Sequence, residues 1–226
     1  MPEQSVSPPR AKVRLPGLDP DATPVIGLGL GLAGLLLGLR PRLAPWPLAA
    51  AAAAAALLYR DPQRHTPQVA GALFAPADGT VLAVDEQYEH RFLHTDAVRL
   101  TIRVSPLDVP VLRSPLAGVV TYLEHIAGEP PWQLYSSGRA RRERQYIGIS
   151  GDEGLVLLSI TAGPLARHIR RHVALGERVL AGARLATARF GSSVELLLPR
   201  DIVEAMPVRG DMLQAGVSPV GEVAPL

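Results

Sequence analysis

Hydrophobic residues follow two different patterns along this chain. Before Tyr59 they form two long apolar runs, residues 24–39 and 43–59, which Arg40 and Arg42 separate. After Tyr59 they form stretches of five to eight residues between glycines and prolines, a pattern typical of β-strands. The predicted strands are residues 80–84, 97–104, 118–123, 146–150, 155–162 and 194–198.

The N-terminal part of the chain divides into a tail and a hydrophobic segment. Residues 1–23 are Pro-rich and polar, which predicts a flexible tail. Residues 24–59 predict a membrane-associated helical hairpin, with Trp46 and Tyr59 at the depth of the lipid headgroups. Two alternatives are open: one or both runs are buried core helices, or only one run crosses the membrane and the following domain changes sides. Residues 60–226 form the β-rich domain that follows.

Within the β-rich domain, residues 164–172 have a helical pattern, which predicts that His168 and His172 share one helix face. Two weak internal repeats place glycines where a turn leads into a strand. The repeats pair residues 76–81 with 115–120, and 176–182 with 210–216. Such repeats are typical of two-fold β-sandwiches of the lipoyl or biotinyl carrier type, so the predicted fold class is mainly β (α+β). A carrier function is excluded because these turns contain no lysine.

Composition narrows the possible chemistry. The chain has no cysteine, which excludes disulfides and thiolate metal sites, and no metal is expected. Its one lysine, Lys12, lies in the predicted tail, which argues against a pyridoxal enzyme with a lysine Schiff base in a packed site. The net charge is only +2, and no aromatic residues alternate with the arginines, so no nucleic-acid partner is expected.

Gly191 and Ser192 stand just before the predicted strand 194–198. In a strained Gly–Ser bond the serine hydroxyl can attack the preceding carbonyl and convert the peptide bond into an ester. Elimination of that ester and loss of ammonia would leave a pyruvoyl group, an electrophilic carbonyl made from the chain itself. An ordinary turn is the alternative, because most Gly–Ser pairs are turns.

Four separated segments carry a resemblance to a known family. They read Leu-Tyr-Arg-Asp-Pro-Gln-Arg at 58–64, Ala-Pro-Ala-Asp-Gly at 75–79, Ser-Pro-Leu-Asp-Val-Pro-Val-Leu-Arg-Ser-Pro at 105–115 and Phe-Gly-Ser at 190–192. In this order and spacing they resemble phosphatidylserine decarboxylases of the short bacterial and archaeal type. The resemblance extends over about residues 60–199, and the two apolar runs upstream also fit the family.

The resemblance implies a proenzyme that cuts itself between Gly191 and Ser192. The products would be a β chain, residues 1–191, and an α chain, residues 192–226, which associate with each other. The cofactor would be a pyruvoyl group formed from Ser192, and the reaction would convert phosphatidylserine to phosphatidylethanolamine. A related serine lipid is an alternative substrate. Asp78 matches the family's acid/base residue for self-processing, and an Asx-turn residue that caps a bend is the alternative.

One motif departs from the family pattern. Pro110 stands where the family has a histidine, and Leu112 where it has an asparagine. A histidine is a natural proton donor for decarboxylation or base for processing. Three explanations are open: another histidine replaces it, Asp78 and water suffice with slow turnover, or the chain is an uncut, non-catalytic paralogue that binds anionic lipid. The candidate histidines are His125, His168 and His172.

Arginines cluster in two runs, residues 139–144 and 167–171. Guanidinium groups bind phosphate in bidentate fashion and attract anionic lipid, although a solvated loop is the alternative for the first run. The candidate residues for the lipid phosphate are Arg113, Arg144 and Arg167. The expected partners are phosphatidylserine, an anionic membrane surface and further copies of the chain in a homo-oligomer. We expect the catalytic domain on the cytoplasmic face of the cell membrane.

Overall fold

The computed structural model divides into two compact units, residues 1–62 and 63–226, and each is described by itself. The structure describes residues 23–40, 42, 45–67, 69, 71–129, 141–163, 168–202 and 206–222. The predicted tail therefore lies outside the described residues, apart from Thr23.

The first unit contains two helices, α1 (Thr23–Leu39) and α2 (Pro45–Leu58). The prolines stand in the first turns, where a helix does not need their missing N–H groups. The helices pack closely, because a Cβ atom at Gly29 would fall on the Cβ atom of Ala51. Most leucines of α1 are exposed, so α1 is not a buried core helix. In the described part of the chain, no helix combines the length and the apolar character that a membrane crossing needs.

The second unit is built from strands, which confirms the mainly-β fold class and all six predicted strands. A 3-10 helix, Arg200–Ile202, follows the last predicted strand. The strands are β1 (Ala72–Phe74), β2 (Gly79–Glu89), β3 (Thr95–Val104), β4 (Val111–Arg113), β5 (Gly118–Ile126), β6 (Arg144–Gly151), β7 (Gly154–Ala162), β8 (Ile169–Arg171), β9 (Arg178–Val179), β10 (Arg184–Ala188), β11 (Ser192–Pro199), β12 (Met212–Leu213) and β13 (Pro219–Glu222).

Three antiparallel sheets share one core. The large sheet has the order β12-β2-β3-β11-β7-β6-β5-β9, and the smaller ones are β4-β10-β8 and β1-β13. The main buried cluster joins all three, through side chains such as Leu196, Leu185 and Leu73. Leu197 points to the other face of β11 and packs in a second, smaller cluster. Strand β11 is therefore covered on both faces, as its continuous apolar run requires.

The two internal repeats correspond to two structurally matching halves. Val81 exchanges two backbone hydrogen bonds with the turn at 210–211, and Val120 exchanges two with the turn at 176–177. The turn at 210–211 therefore closes on β2, and the turn at 176–177 closes on β5. Each of these strands begins within one copy of the first repeat. The glycines are needed, because a Cβ atom at Gly79 would strike the carbonyl oxygen of Arg103. The likeness of this arrangement to lipoyl or biotinyl carriers stays a prediction.

The predicted helix at 164–172 is wrong for the residues that the structure describes. Ile169–Arg171 is strand β8, which pairs with β10, and His168 and His172 flank it. Ile169 is buried in the main core while the two arginines of β8 are exposed. Burial of one apolar side chain and the backbone bonds to β10 outweigh a local helical preference. The two histidines therefore do not share a helix face, and residues 164–167 lie outside the described residues.

Candidate active site

The backbone before Ser192 is in an unusual conformation. Phe190 has φ of 61° and Gly191 has φ of 86°, both in the left-handed region. A bulky residue rarely adopts this region, and such strain persists where the surrounding structure enforces it. The tertiary fold therefore holds two successive left-handed residues directly before the Gly191–Ser192 peptide bond.

Ser192 is the first residue of β11, and its side chain is buried. It pairs with Val104 of β3 and Ala162 of β7, in the middle of the large sheet. Among the described residues, its Oγ has no hydrogen-bond partner. A buried hydroxyl without a partner is uncommon and calls for an explanation, and a nucleophile poised for reaction provides one.

The carbonyl group of Gly191 accepts a hydrogen bond from the amide of Gly163, at 3.1 Å. An amide in this position would stabilise negative charge on that oxygen if Ser192 attacked the carbonyl carbon. A Cβ atom at residue 163 would strike the same oxygen, so only glycine fits there. Sequence reasoning missed Gly163. The sequence feature that could have indicated it is the position of this glycine between the predicted strand 155–162 and Pro164.

The third motif, residues 105–115, lies against the Gly–Ser junction. A Cβ atom at Gly191 would lie 3.5 Å from Cδ of Pro106. Asp108 closes the turn, since its carboxylate accepts the amide hydrogen of Ser105 at 2.7 Å. The carbonyl of Pro110 accepts a hydrogen bond from Ala188, at 2.9 Å. Two segments that are distant in sequence are therefore in direct contact.

The histidine position of the family motif is apolar in this fold. Pro110 and Leu112 are both buried, and Leu112 is part of the main core. The three remaining candidate histidines lie elsewhere. His172 Nε2 is 2.7 Å from the hydroxyl of Thr187. His125 and His168 both approach the carboxylate of Glu143. Glu143 is a buried residue that sequence analysis missed, because it lies within the arginine run 139–144.

Asp78 forms a bidentate ion pair with Arg64, with 2.6 Å between Oδ2 and Nη2. Its Oδ1 also accepts a hydrogen bond from the amide of Ala215 at 2.8 Å. These bonds are long-range, unlike those of an Asx-turn. Thr80 and Ser193 both pair with Arg103, so Asp78 and Ser192 lie at the same end of the sheet, about two strand spacings or 10 Å apart. The acid/base role of Asp78 stays a prediction.

The candidate phosphate-binding arginines have different surroundings. Arg113 is buried, and its Nη1 donates to the carbonyl of Gly182 at 2.9 Å, which leaves it little surface for a ligand. Arg144 is exposed and lines a cavity of about 550 Å³. Arg167 lies outside the described residues. The residues that line the cavity are Ile126, Arg141, Arg142, Arg144 and Thr161.

The cavity is close to the Gly–Ser junction in the sheet register. Thr161 pairs with Arg144 on one side and with Ser193 on the other. The arginines and the candidate nucleophile are therefore at the same end of the large sheet, two strands apart. Successive residues of a strand alternate between faces, so Arg144 and Thr161 lie on the face opposite to the Ser192 side chain, and a ligand held at the arginines would reach Ser192 around this end of the sheet.

Comparison with known proteins gives matches in a single family. The profile of the phosphatidylserine decarboxylase family matches residues 52–220. A phosphatidylserine decarboxylase proenzyme of Symbiobacterium thermophilum is 36% identical over 216 residues, which cover 93% of this chain and 98% of the relative. The proenzyme of Carboxydothermus hydrogenoformans is 34% identical over 165 residues, or 73% of this chain and 78% of the relative.

A third proenzyme, from Salinibacter ruber, is 34% identical over 168 residues, which cover 73% of this chain and 74% of the relative. No solved structure matches. The family match includes all four motifs. The chain belongs to the phosphatidylserine decarboxylase family of carboxy-lyases.

Proposed function

We propose that this chain is a proenzyme that cuts itself between Gly191 and Ser192 and then decarboxylates phosphatidylserine to phosphatidylethanolamine. The observation that carries the proposal is the buried Ser192 hydroxyl, which has no partner among the described residues and directly follows two left-handed residues. The relatives named above are all proenzymes, which supports a cut chain. They offer no support for an uncut lipid-binding paralogue.

The cut begins when Oγ of Ser192 bonds to the carbonyl carbon of Gly191. The amide of Gly163 stabilises the charge that develops on the carbonyl oxygen. The C–N bond then breaks, the freed nitrogen takes up the hydroxyl proton, and an ester remains. Breaking the bond also frees the backbone that holds Phe190 in its strained left-handed conformation. Elimination frees the Gly191 carboxylate, and one water molecule replaces the nitrogen, which leaves as ammonia.

Ser192 is the residue that would hold the resulting pyruvoyl group. That group supplies an electron-withdrawing carbonyl, which stabilises the negative charge left on the substrate when carbon dioxide departs. Ser192 is itself buried, and its two strand neighbours, Val104 and Ala162, are buried apolar residues of the main core. In a dry environment, electrostatic stabilisation is stronger than in water.

The two fragments are expected to remain associated after the cut. Strand β11 begins the α chain and lies between β3 and β7 of the β chain, in the centre of the large sheet. Strands β12 and β13 of the α chain pair with β2 and β1. Loss of one peptide bond leaves these hydrogen bonds and the shared core unchanged, so we propose that the mature enzyme keeps both chains.

The lipid phosphate is proposed to bind in the cavity that Arg144 lines with Arg141 and Arg142. Three guanidinium groups provide paired donors for phosphate oxygens, and the cavity lies at the same end of the sheet as Ser192. Arg113 is too deeply buried to serve as a primary contact.

The site of action is proposed to be the cytoplasmic face of the cell membrane. The exposed leucines of α1 provide an apolar surface that lipid would cover, and the arginines attract anionic headgroups. A homo-oligomer is part of the same proposal. Vesicle sedimentation with neutral and anionic lipids tests membrane binding, and light scattering tests the oligomeric state.

Intact-mass measurement of the purified protein tests the cut. We expect two fragments, residues 1–191 and 192–226, the smaller with a keto group in place of its N-terminal amine. The S192A variant should stay full length and release no carbon dioxide from phosphatidylserine. A wild-type chain that is unbroken while it decarboxylates the lipid would refute the mechanism, and an unbroken chain that only binds lipid would support the paralogue.

A further inference from the structure

Ser192, Ala162 and Glu143 lie side by side across three neighbouring chain segments. Ser192 pairs with Ala162, whose amide donates to the carbonyl of Glu143 at 2.9 Å. Residues directly opposite each other in antiparallel strands point to the same face. The Glu143 side chain therefore shares the buried face of Ser192. Their α carbons are two strand spacings, about 10 Å, apart, and the methyl group of Ala162 lies between them.

The carboxylate of Glu143 is buried but connected to the surface. Only 6% of the side chain is exposed, and Oε1 accepts a hydrogen bond from the amide of Ile169 at 3.1 Å. Nδ1 of His168 is 3.5 Å from Oε2, and Nδ1 of His125 is 3.8 Å from Oε1. The His168 side chain is 84% exposed. A buried carboxylate beside an exposed imidazole is suited to move protons between the interior and water.

Two strands connect Glu143 to the position of the missing imidazole. The carbonyl of Pro110 accepts the amide hydrogen of Ala188, and Ala188 pairs with Ile169, whose amide Glu143 binds. Pro110 and Glu143 are therefore separated by the width of strands β10 and β8. Pro110 has no group that can take or give a proton, whereas Glu143 has one on the same face as Ser192.

We propose that Glu143, together with His168, performs the proton transfers at Ser192 that a histidine at position 110 would otherwise perform. The inference rests on the self-cleavage proposed above. The carboxylate, directly or through one water molecule, accepts the hydroxyl proton as Oγ bonds to the carbonyl carbon of Gly191. That proton passes to the Ser192 nitrogen as the C–N bond breaks, so the acyl shift has no net proton uptake.

The same carboxylate is then available for the elimination step. It accepts the α proton of Ser192 while the Oγ–Cβ bond breaks and the oxygen leaves as part of the Gly191 carboxylate. His168 carries this second proton from Glu143 to solvent. Both proton transfers therefore use one buried acceptor and one exposed relay.

Two substitutions in the full-length precursor test the proposal. The precursor is made by cell-free translation, and its cleavage is followed over time on denaturing gels. E143Q keeps the shape of the side chain and an acceptor for the amide of Ile169 but cannot accept a proton, so we expect cleavage at least about 100-fold slower than in wild type. H168Q changes an exposed side chain, and we expect cleavage about tenfold slower.

Matched controls separate proton transfer from loss of a buried charge. Glu89 is a second buried carboxylate, and it accepts backbone hydrogen bonds from residues 91–93, each at 2.7 Å. His90 is an exposed histidine near it. E89Q and H90Q should cleave at the wild-type rate at a temperature where all variants give folded circular-dichroism spectra.

The outcomes are distinct. A folded E143Q or H168Q precursor that cuts at the wild-type rate overturns the proposal, as does equal slowing in E89Q. If E143Q does not fold, H168Q decides alone. A wild-type precursor that stays uncut refutes the proposed function itself, whereas wild-type cleavage with unaffected variants refutes only the role of Glu143 and His168.

Discussion

The contact between Gly163 and Gly191 makes one substitution especially informative. The amide of Gly163 donates to the carbonyl oxygen of Gly191 at 3.1 Å, and a Cβ atom at residue 163 would strike that same oxygen. Both partners are backbone atoms, so neither can move away as a flexible side chain would. G163A must therefore displace the carbonyl group, and with it the hydrogen bond that stabilises charge in the acyl shift.

The size of the effect follows from the lost donor. Removal of one hydrogen bond to a developing oxyanion typically costs about 100-fold to 1,000-fold in rate, or about 2.7–4 kcal/mol. We therefore expect the G163A precursor to cut at least about 100-fold more slowly than wild type. Intact-mass measurement at successive times after translation gives the rate.

G118A is the matched control for this experiment. A Cβ atom at Gly118 would strike the carbonyl oxygen of Ser150, the same kind of backbone collision at a position away from the Gly–Ser junction. G118A should lower the melting temperature as G163A does but leave the cleavage rate unchanged in the folded protein. Wild-type cleavage in G163A, or equal slowing in G118A, would contradict the role assigned to the Gly163 amide.

Three further predictions concern the lipid site and the stability of the fold. R144Q should raise KM for phosphatidylserine in mixed micelles about tenfold with little change in kcat, because a phosphate contact acts equally in the ground and transition states. The control variant R200Q should change neither KM nor kcat. D78N should lower the free energy of unfolding by about 3 kcal/mol in urea titrations, because Arg64 would lose its ionic partner; no loss would mean that the ion pair is not structural. Burial raises the pKa of Glu89, but the backbone N–H groups of residues 91–93 outweigh it and hold the pKa below its usual 4.5. A lowered pKa adds stability that is complete above the unfolded pKa and disappears as pH falls through the folded pKa. The difference in unfolding free energy between wild type and E89Q should therefore shrink as pH falls below 4.5.

Local patterns predicted much of the β-rich domain. Each of the six predicted strands lies within an observed strand, because alternation of apolar and polar residues depends only on which face is buried. The helix predicted at 164–172 failed for the opposite reason. The backbone of Ile169 pairs with β10, which lies elsewhere in the chain. The pattern of residues 164–172 alone contains no information about that partner.

The sequence by itself determined the candidate nucleophile, since Gly191–Ser192 and three ordered motifs are visible without coordinates. Only the tertiary structure decided what surrounds that bond. Strand register brought Gly163 to the carbonyl of Gly191 and placed Glu143 on the buried face of Ser192. A contact between two segments outside the strands paired Asp78 with Arg64. Register depends on contacts between residues far apart in the chain, and each single segment is compatible with several partners until the shared core selects one.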